Sequence, residues 1–163
     1  MPTAHRYREL YEHEIDSNRK MLSMIESVPD GARTDPRFQQ AVNLAAHLAA
    51  CRENWLDRIQ GGGDMQVPWF EAECSLASLR ARFAALEAQW TGYLSELEEA
   101  HLGKDFDFPA SNGRRFAVRI DHQLMQLVGH AAYHRGQVAL LVDQLGGETV
   151  DTDYLYWVSP RGA

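Results

Sequence analysis

Apolar residues recur at mixed steps of three and four along four long stretches of the chain. Helices with one apolar face each must bury those faces against one another. The first stretch runs from about residue 3 to 27, with Tyr7, Leu10, Tyr11, Ile15, Asn18, Leu22 and Ile25 inward, and Pro29-Asp30-Gly31 stops it. The second opens at Asp35-Pro36, an N-cap residue followed by proline at the first helical position, and ends at the glycine run 61–63. The third covers about 69–101, where Leu76, Leu79, Phe83, Leu86, Trp90, Leu94 and Leu97 keep helical spacing. The fourth covers about 120–145 and stops at Gly146-Gly147. Before it, Phe106 and Phe108 alternate with acids, Asn112-Gly113 is a turn signal, and Phe116 and Val118 alternate again. That pattern predicts a short hairpin or an extended excursion with a turn. The tail 148–163 reads as mostly irregular, with Tyr154, Leu155, Tyr156 and Trp157 apolar enough to fold back onto the body. The expected class is all-α, a four-helix bundle. The excursion before the last helix allows a topology less simple than up-down-up-down.

A length of 163 residues suits one domain, 1–163, with a core that needs neither disulfide nor metal to hold it. Lys and Arg number 16 and Asp and Glu 23, a net charge of −7. An acidic chain without a long basic run is a poor nucleic-acid surface and a poor match for anionic lipid, so neither nucleic acid nor membrane is expected as a partner. No run of about 20 apolar residues suits a membrane span. The first residues, MPTAHRYRELYEHEIDSNRK, hold no apolar signal core, and a cytoplasmic location is expected. Cys51 and Cys74 lack CxxC spacing and make a weak case for a disulfide.

Chemistry concentrates in the histidines. His130 and His134 stand four apart on the fourth helical stretch, which puts both imidazoles on one face where they can approach one metal ion. The same spacing suits two polar groups lining a cleft. His134 falls within the inward stripe of Leu127, Ala131, Val138, Leu141 and Leu145, and His130 at its margin, so both need partners. His47 lies in the most apolar part of the second stretch, among Leu44, Ala45, Ala46, Leu48, Ala49 and Ala50. Alone it reads as an internal hydrogen-bonded histidine. Converging with the other two, it would complete a nitrogen half-shell for zinc, nickel or iron. Cys51 shares the face of His47 and has three readings: a fourth ligand, a redox-sensitive neighbour, or a small core residue, the last being the commonest use of a buried thiol.

Other polar residues have plainer readings. Glu98 and His101 form one Glu-x-x-His pair at a polar helix end, whereas a carboxylate-bridged two-metal centre needs two such pairs. His5, His13, His101 and His122 sit in polar surroundings and are expected to be exposed. Arg135 has two readings, an anion or carboxylate holder at the site mouth and, preferred, a surface salt bridge or subunit contact. Gly136 is expected at a close helix approach, and Gln137 either orients a ligand or, the preferred reading, ties two helices together. Tyr133 suits packing or proton donation to a bound molecule. No phosphate loop, GxSxG elbow or HExxH sequence is present.

The segment HAAYHRGQVALLVDQLGGETVDTDYLYW, residues 130–157, resembles the C-terminal signature of the DinB family, most closely at His134-Arg135-Gly136-Gln137 and at Asp153-Tyr154. LAAHLAACRENWLDRI, residues 44–59, is similar to that family's second-helix signature, with His47 and Trp55 at its histidine and aromatic positions. The resemblance implies a four-helix bundle with a long crossing connection, often dimeric, and a divalent metal on His47, His130 and His134. It gives Cys51 no ligand role. Zinc or nickel suits such a site first, iron next. The resemblance further implies thiol-dependent transfer, with a low-molecular-weight thiol and a small electrophile as substrates. Metal-assisted hydrolysis and a non-enzymatic, metal-stabilised dimeric binding protein are the alternatives.

Overall fold

A computed structural model describes residues 3–62, 67–110 and 113–159. Four long helices carry the fold: α1 (Thr3–Glu26), α2 (Pro36–Ile59), α3 (Leu76–Ser95) and α5 (Ile120–Gln144). A single turn, α4 (Glu99–Leu102), and an antiparallel hairpin of β1 (Asp105–Pro109) and β2 (Arg115–Arg119) lie between α3 and α5, and a short helix α6 (Tyr154–Val158) lies in the tail. The all-α class and the hairpin agree with the sequence reading. Local chemistry sets the ends. The Asp35 side chain accepts from the Arg37 N–H at the start of α2, and the Ser75 hydroxyl accepts from the Ser78 N–H at the start of α3. Gly146, with φ of 76°, turns the chain after α5. Within the expected turns, Gly63 and Asn112 lie outside the described residues.

The helices run up, down, down, up. Tyr7 near the start of α1 bonds the Asp121 carbonyl near the start of α5, and Ser27 just past α1 meets Glu148 just past α5, so these two helices are parallel. Arg80 early in α3 pairs with Glu26 at the end of α1, and Arg8 bonds the Leu94 carbonyl, which sets α3 against α1 in the opposite sense. Gln39 bonds the carbonyl of Cys74 and Glu53 pairs with Arg82, so α2 and α3 are parallel. Both α1 and α2 pack chiefly against α3 and α5.

Parallel neighbours need a connection that returns the length of the helix. A helix of 24 residues is about 36 Å long. Residues 60–68 reach at most about 30 Å, whereas 60–75 reach about 50 Å. A third helix starting at 69, as its periodicity had implied, is therefore incompatible with this topology. Residues 67–75 are irregular, with bends and no helix, and belong to the crossover. The long crossing connection is this segment, not the excursion before the last helix. At its other end α3 stops at Ser95, short of 101, and α4 follows as a separate turn.

The core has two apolar clusters. One joins the later half of α1, the earlier half of α2 and the later half of α5 around Met21, Ile25, Val42, Leu79, Val138 and Val142. The other lies at the opposite end, around Tyr11, Leu56, Leu86, Trp90, Leu94 and Leu127. A polar layer separates them. Glu14 pairs with Arg52 through two hydrogen bonds, and both are buried. The Arg52 guanidinium lies over the rings of Tyr11 and Trp90. Arg135 is buried beside them and donates to Asn18, and its Nε has no partner among the described residues. That corrects the surface position expected for Arg135. His13 is also buried rather than exposed, because the tail returns over it: Nε2 bonds the Thr152 carbonyl at 2.8 Å, and the Tyr154 and Trp157 rings pack on it.

Candidate metal centre

The described part of the crossover, residues 67–75, has no strand partner among the described residues, so its carbonyls need donors from elsewhere. Side chains on one face of α2 supply them. Gln39, Asn43, His47 and Asn54 donate to the carbonyls of Cys74, Ala72, Trp69 and Val67 respectively. His47 is one rung of this ladder. Its Nδ1–H donates to the Trp69 carbonyl at 2.6 Å, which leaves the Nε2 lone pair free and aims it at α5. Phe70 stacks flat on the same imidazole, with centroids 4.2 Å apart and planes within 4°.

The α5 histidines meet it as the four-residue spacing requires. His130 Nε2 is 3.3 Å from His47 Nε2 and 3.1 Å from His134 Nε2. On its other side His134 Nδ1–H donates to Gln137 Oε1 at 2.6 Å, and the Gln137 amide N–H donates to the Tyr133 hydroxyl. Burial and the two neighbouring imidazoles hold the His130 pKa down to about 4. Burial lowers that of His134 as well, partly offset by the Gln137 bond. His130 and His134 are therefore neutral donors at neutral pH.

A divalent transition ion fits this arrangement. Two nitrogens each about 2.0–2.1 Å from a tetrahedral ion sit roughly 3.3 Å apart. One nitrogen from each histidine lies within 4.8 Å of the other two. Two of the rings have their tautomers fixed by Trp69 and Gln137, so two lone pairs converge on a third nitrogen that can offer at most one proton. A cation removes that acceptor–acceptor conflict. The partners on the far nitrogens are the kind that orient metal-bound imidazoles. Among the described residues this is the group of metal-ligating side chains close enough to hold an ion.

The cluster is reachable. His130 and His134 are half-buried, while Tyr133, whose ring edge meets His134, and Phe70 are exposed. Cys51 is buried next to His47, and its sulfur lies 3.8 Å from Nδ1 and 3.6 Å from Nε2. Near-equal distances put the sulfur over the imidazole face, away from the line of the Nε2 lone pair. Burial pushes the thiol up to about 12. It packs against a candidate ligand, as the core reading expected, and is not aligned as a fourth. Cys51 and Cys74 are both free thiols.

Several neighbours differ from expectation. Gln137 binds His134 within its own helix, which agrees with the reading that it orients a ligand and not with the preferred one of tying two helices. A Cβ on Gly136 would meet nothing within 4 Å, so no close approach inside the chain requires that glycine. The Glu98–His101 pair caps the short helix α4, a polar helix end as expected. His5 and His122 are exposed, and His101 is half-buried. Sequence reasoning missed Trp69 and Phe70 as site residues. The ladder had a signal, since Gln39, Asn43, His47 and Asn54 recur at helical steps on an otherwise apolar helix.

The family model for the DinB family matches residues 1–161. No curated protein matches the chain. No helix among the described residues is long and apolar enough to cross a membrane.

Proposed function

The chain belongs to the DinB family, and from that premise we propose that it is a divalent-metal protein that catalyses thiol-dependent transfer to a small electrophile. His47, His130 and His134 hold the ion, zinc or nickel first and iron next. The observation that carries this reading is the His130 Nε2 atom lying 3.3 Å from that of His47 and 3.1 Å from that of His134, all three ligand nitrogens within 4.8 Å of one another, with two outer nitrogens already committed. An ion on three imidazoles would supply Lewis acidity that lowers the pKa of a bound thiol or water.

The chain's own residues do the rest. The Trp69 carbonyl and Gln137 amide oxygen keep the imidazole lone pairs inward. Phe70 and Tyr133 flank the mouth with aromatic surface suited to the apolar part of an electrophile. The ring face of His47 is closed by Phe70 and Cys51, so approach is from the side of the two half-buried α5 histidines. The substrates are a low-molecular-weight thiol and a small electrophile, and the protein works as a homodimer.

The test is elemental analysis of purified protein, followed by thiol consumption with candidate electrophiles before and after chelation. Near-equimolar metal per chain is expected. His134→Ala removes one of three donors and should lower affinity sharply. Unchanged stoichiometry and affinity in that variant would end the three-histidine reading. Metal binding without thiol consumption would leave a metal-binding protein and remove the transferase.

A further inference from the structure

One long helix face is largely uncovered by the described residues, the tail only bordering it. Between His122 and Asp143 the exposed positions of α5 are Met125, Gly129, Ala132, Tyr133, Gly136, Leu140 and one glutamine, with no charge among them. Met125, Tyr133 and Leu140 are 55%, 64% and 58% exposed, which is unusual for large apolar side chains on a protein of net charge −7. Gly129 and Gly136 each weaken a helix interior relative to alanine. Neither has positive φ, and a Cβ on either would meet nothing within 4 Å. No contact inside the chain accounts for them.

From this face we infer that two copies pair through α5, antiparallel, about a two-fold axis passing between Ala132 and Tyr133. The inference rests on the homodimer reading above and says where the subunits meet. The face is its own complement under that operation. Gly129 of one copy comes opposite Gly136 of the other, and Met125 opposite Leu140, so bulky and bare positions interleave and the helix backbones approach closely. Exposed His122 at one end comes opposite exposed Asp143 at the other, a favourable ending for an uncharged strip. Two acidic chains repel wherever charged surfaces meet, and this strip lets them touch without that cost. The tail borders the same strip. Asp153 and Tyr154 line a cavity with Val128, Ala132 and Gly136, and Leu155 and Tyr156 beyond them are exposed. Met125, Tyr133, Leu140, Leu155 and Tyr156, each more than half exposed, supply the apolar surface that pairing would cover. Tyr133 stands at the mouth of the histidine cluster, so pairing makes each copy a wall of the other's site.

Light scattering on the full chain at tens of micromolar tests this, with far-ultraviolet circular dichroism on every sample. The parent should give twice 18.5 kDa. Gly136→Glu replaces a helix-weakening residue in open space, so it should keep the fold and reduce the mass to 18.5 kDa, as should Leu140→Glu. Ala85→Glu, on the alanine-rich outer face of α3, should leave the mass doubled. Ala132→Cys, beside the axis, should give a disulfide-linked dimer under diamide that the parent does not form. A parent mass of 18.5 kDa would overturn both the homodimer and this interface. A doubled parent mass that both α5 variants retain, or that only Ala85→Glu halves, would overturn the interface alone. Should the glutamate variants unfold, failure of Ala132→Cys to cross-link would overturn it.

Discussion

Gln137 decides which nitrogen of His134 faces the cluster. Its carbonyl oxygen takes the Nδ1 proton, and its amide is held in turn by Tyr133. Gln137→Ala should therefore weaken metal binding by about 10–100-fold with little change in helix content. Competition titration against a chromophoric chelator reads this, and parental affinity in the variant would contradict it. Acid should act on the same cluster. The folded pKa values of His130 and His134 lie below the unfolded value of about 6.5, His130 at about 4. As pH falls between those values the unfolded chain takes up protons that the folded chain refuses, so metal-free protein loses stability over that window. Urea midpoints that stay constant from pH 7 to 4.5 would be inconsistent with these shifts. Deeper in, Glu14 is the carboxylate that faces both Arg52 and Arg135. Glu14→Ala should cost about 3–5 kcal/mol, because two buried guanidiniums would lose their counter-charge. Legibility at this scale followed locality. His130 and His134 could be read because four-residue spacing fixes a shared helical face. His13 could not be read, since its neighbours Glu12 and Glu14 are acidic and its cover comes from Thr152, 139 residues away. The Trp69 carbonyl could not be read either, because a backbone group has no letter in the sequence.

The crossover is the element on which the site depends, and side chains rather than strand pairing hold it. Asn43→Ala should remove one rung, costing about 1 kcal/mol and speeding amide exchange around Ala72. Unaltered exchange there would show that the rung is not a restraint. Helix ends were legible where a cap or a glycine marks them, as at Asp35 and Gly146. The start of α3 was not, because Trp69 and Phe70 extend the apolar pattern of the helix backwards. Their rings instead serve His47, Trp55 and Arg58: Phe70 stacks on His47, and Trp69 packs on Trp55 with the Arg58 guanidinium above both indoles. Only the direction of α2 relative to α3, a tertiary fact, makes a non-helical connecting segment obligatory there.

At the scale of the molecule, the histidines lie at the rim of the bundle beside its polar layer, while the apolar clusters occupy its two ends. Each cluster joins α1, α2, α3 and α5 without any contribution from His130 or His134. Burial on that scale, with Trp90, Met21, Met24, Ile25 and Leu79 essentially inaccessible, supplies a driving force independent of the ion. Removing metal should therefore leave a folded protein. Chelated samples should keep most of their far-ultraviolet helical signal at 25 °C, while any thiol transfer disappears and returns with added ion. The melting temperature should still rise with metal concentration, because an ion that needs three preplaced imidazoles binds the folded state and not the unfolded one. A purely structural site behaves otherwise: its binding energy is folding energy, and the helical signal collapses with the metal. The separation of those two responses is the decisive measurement, and collapse of helicity on chelation would move the histidine cluster from catalysis to scaffolding.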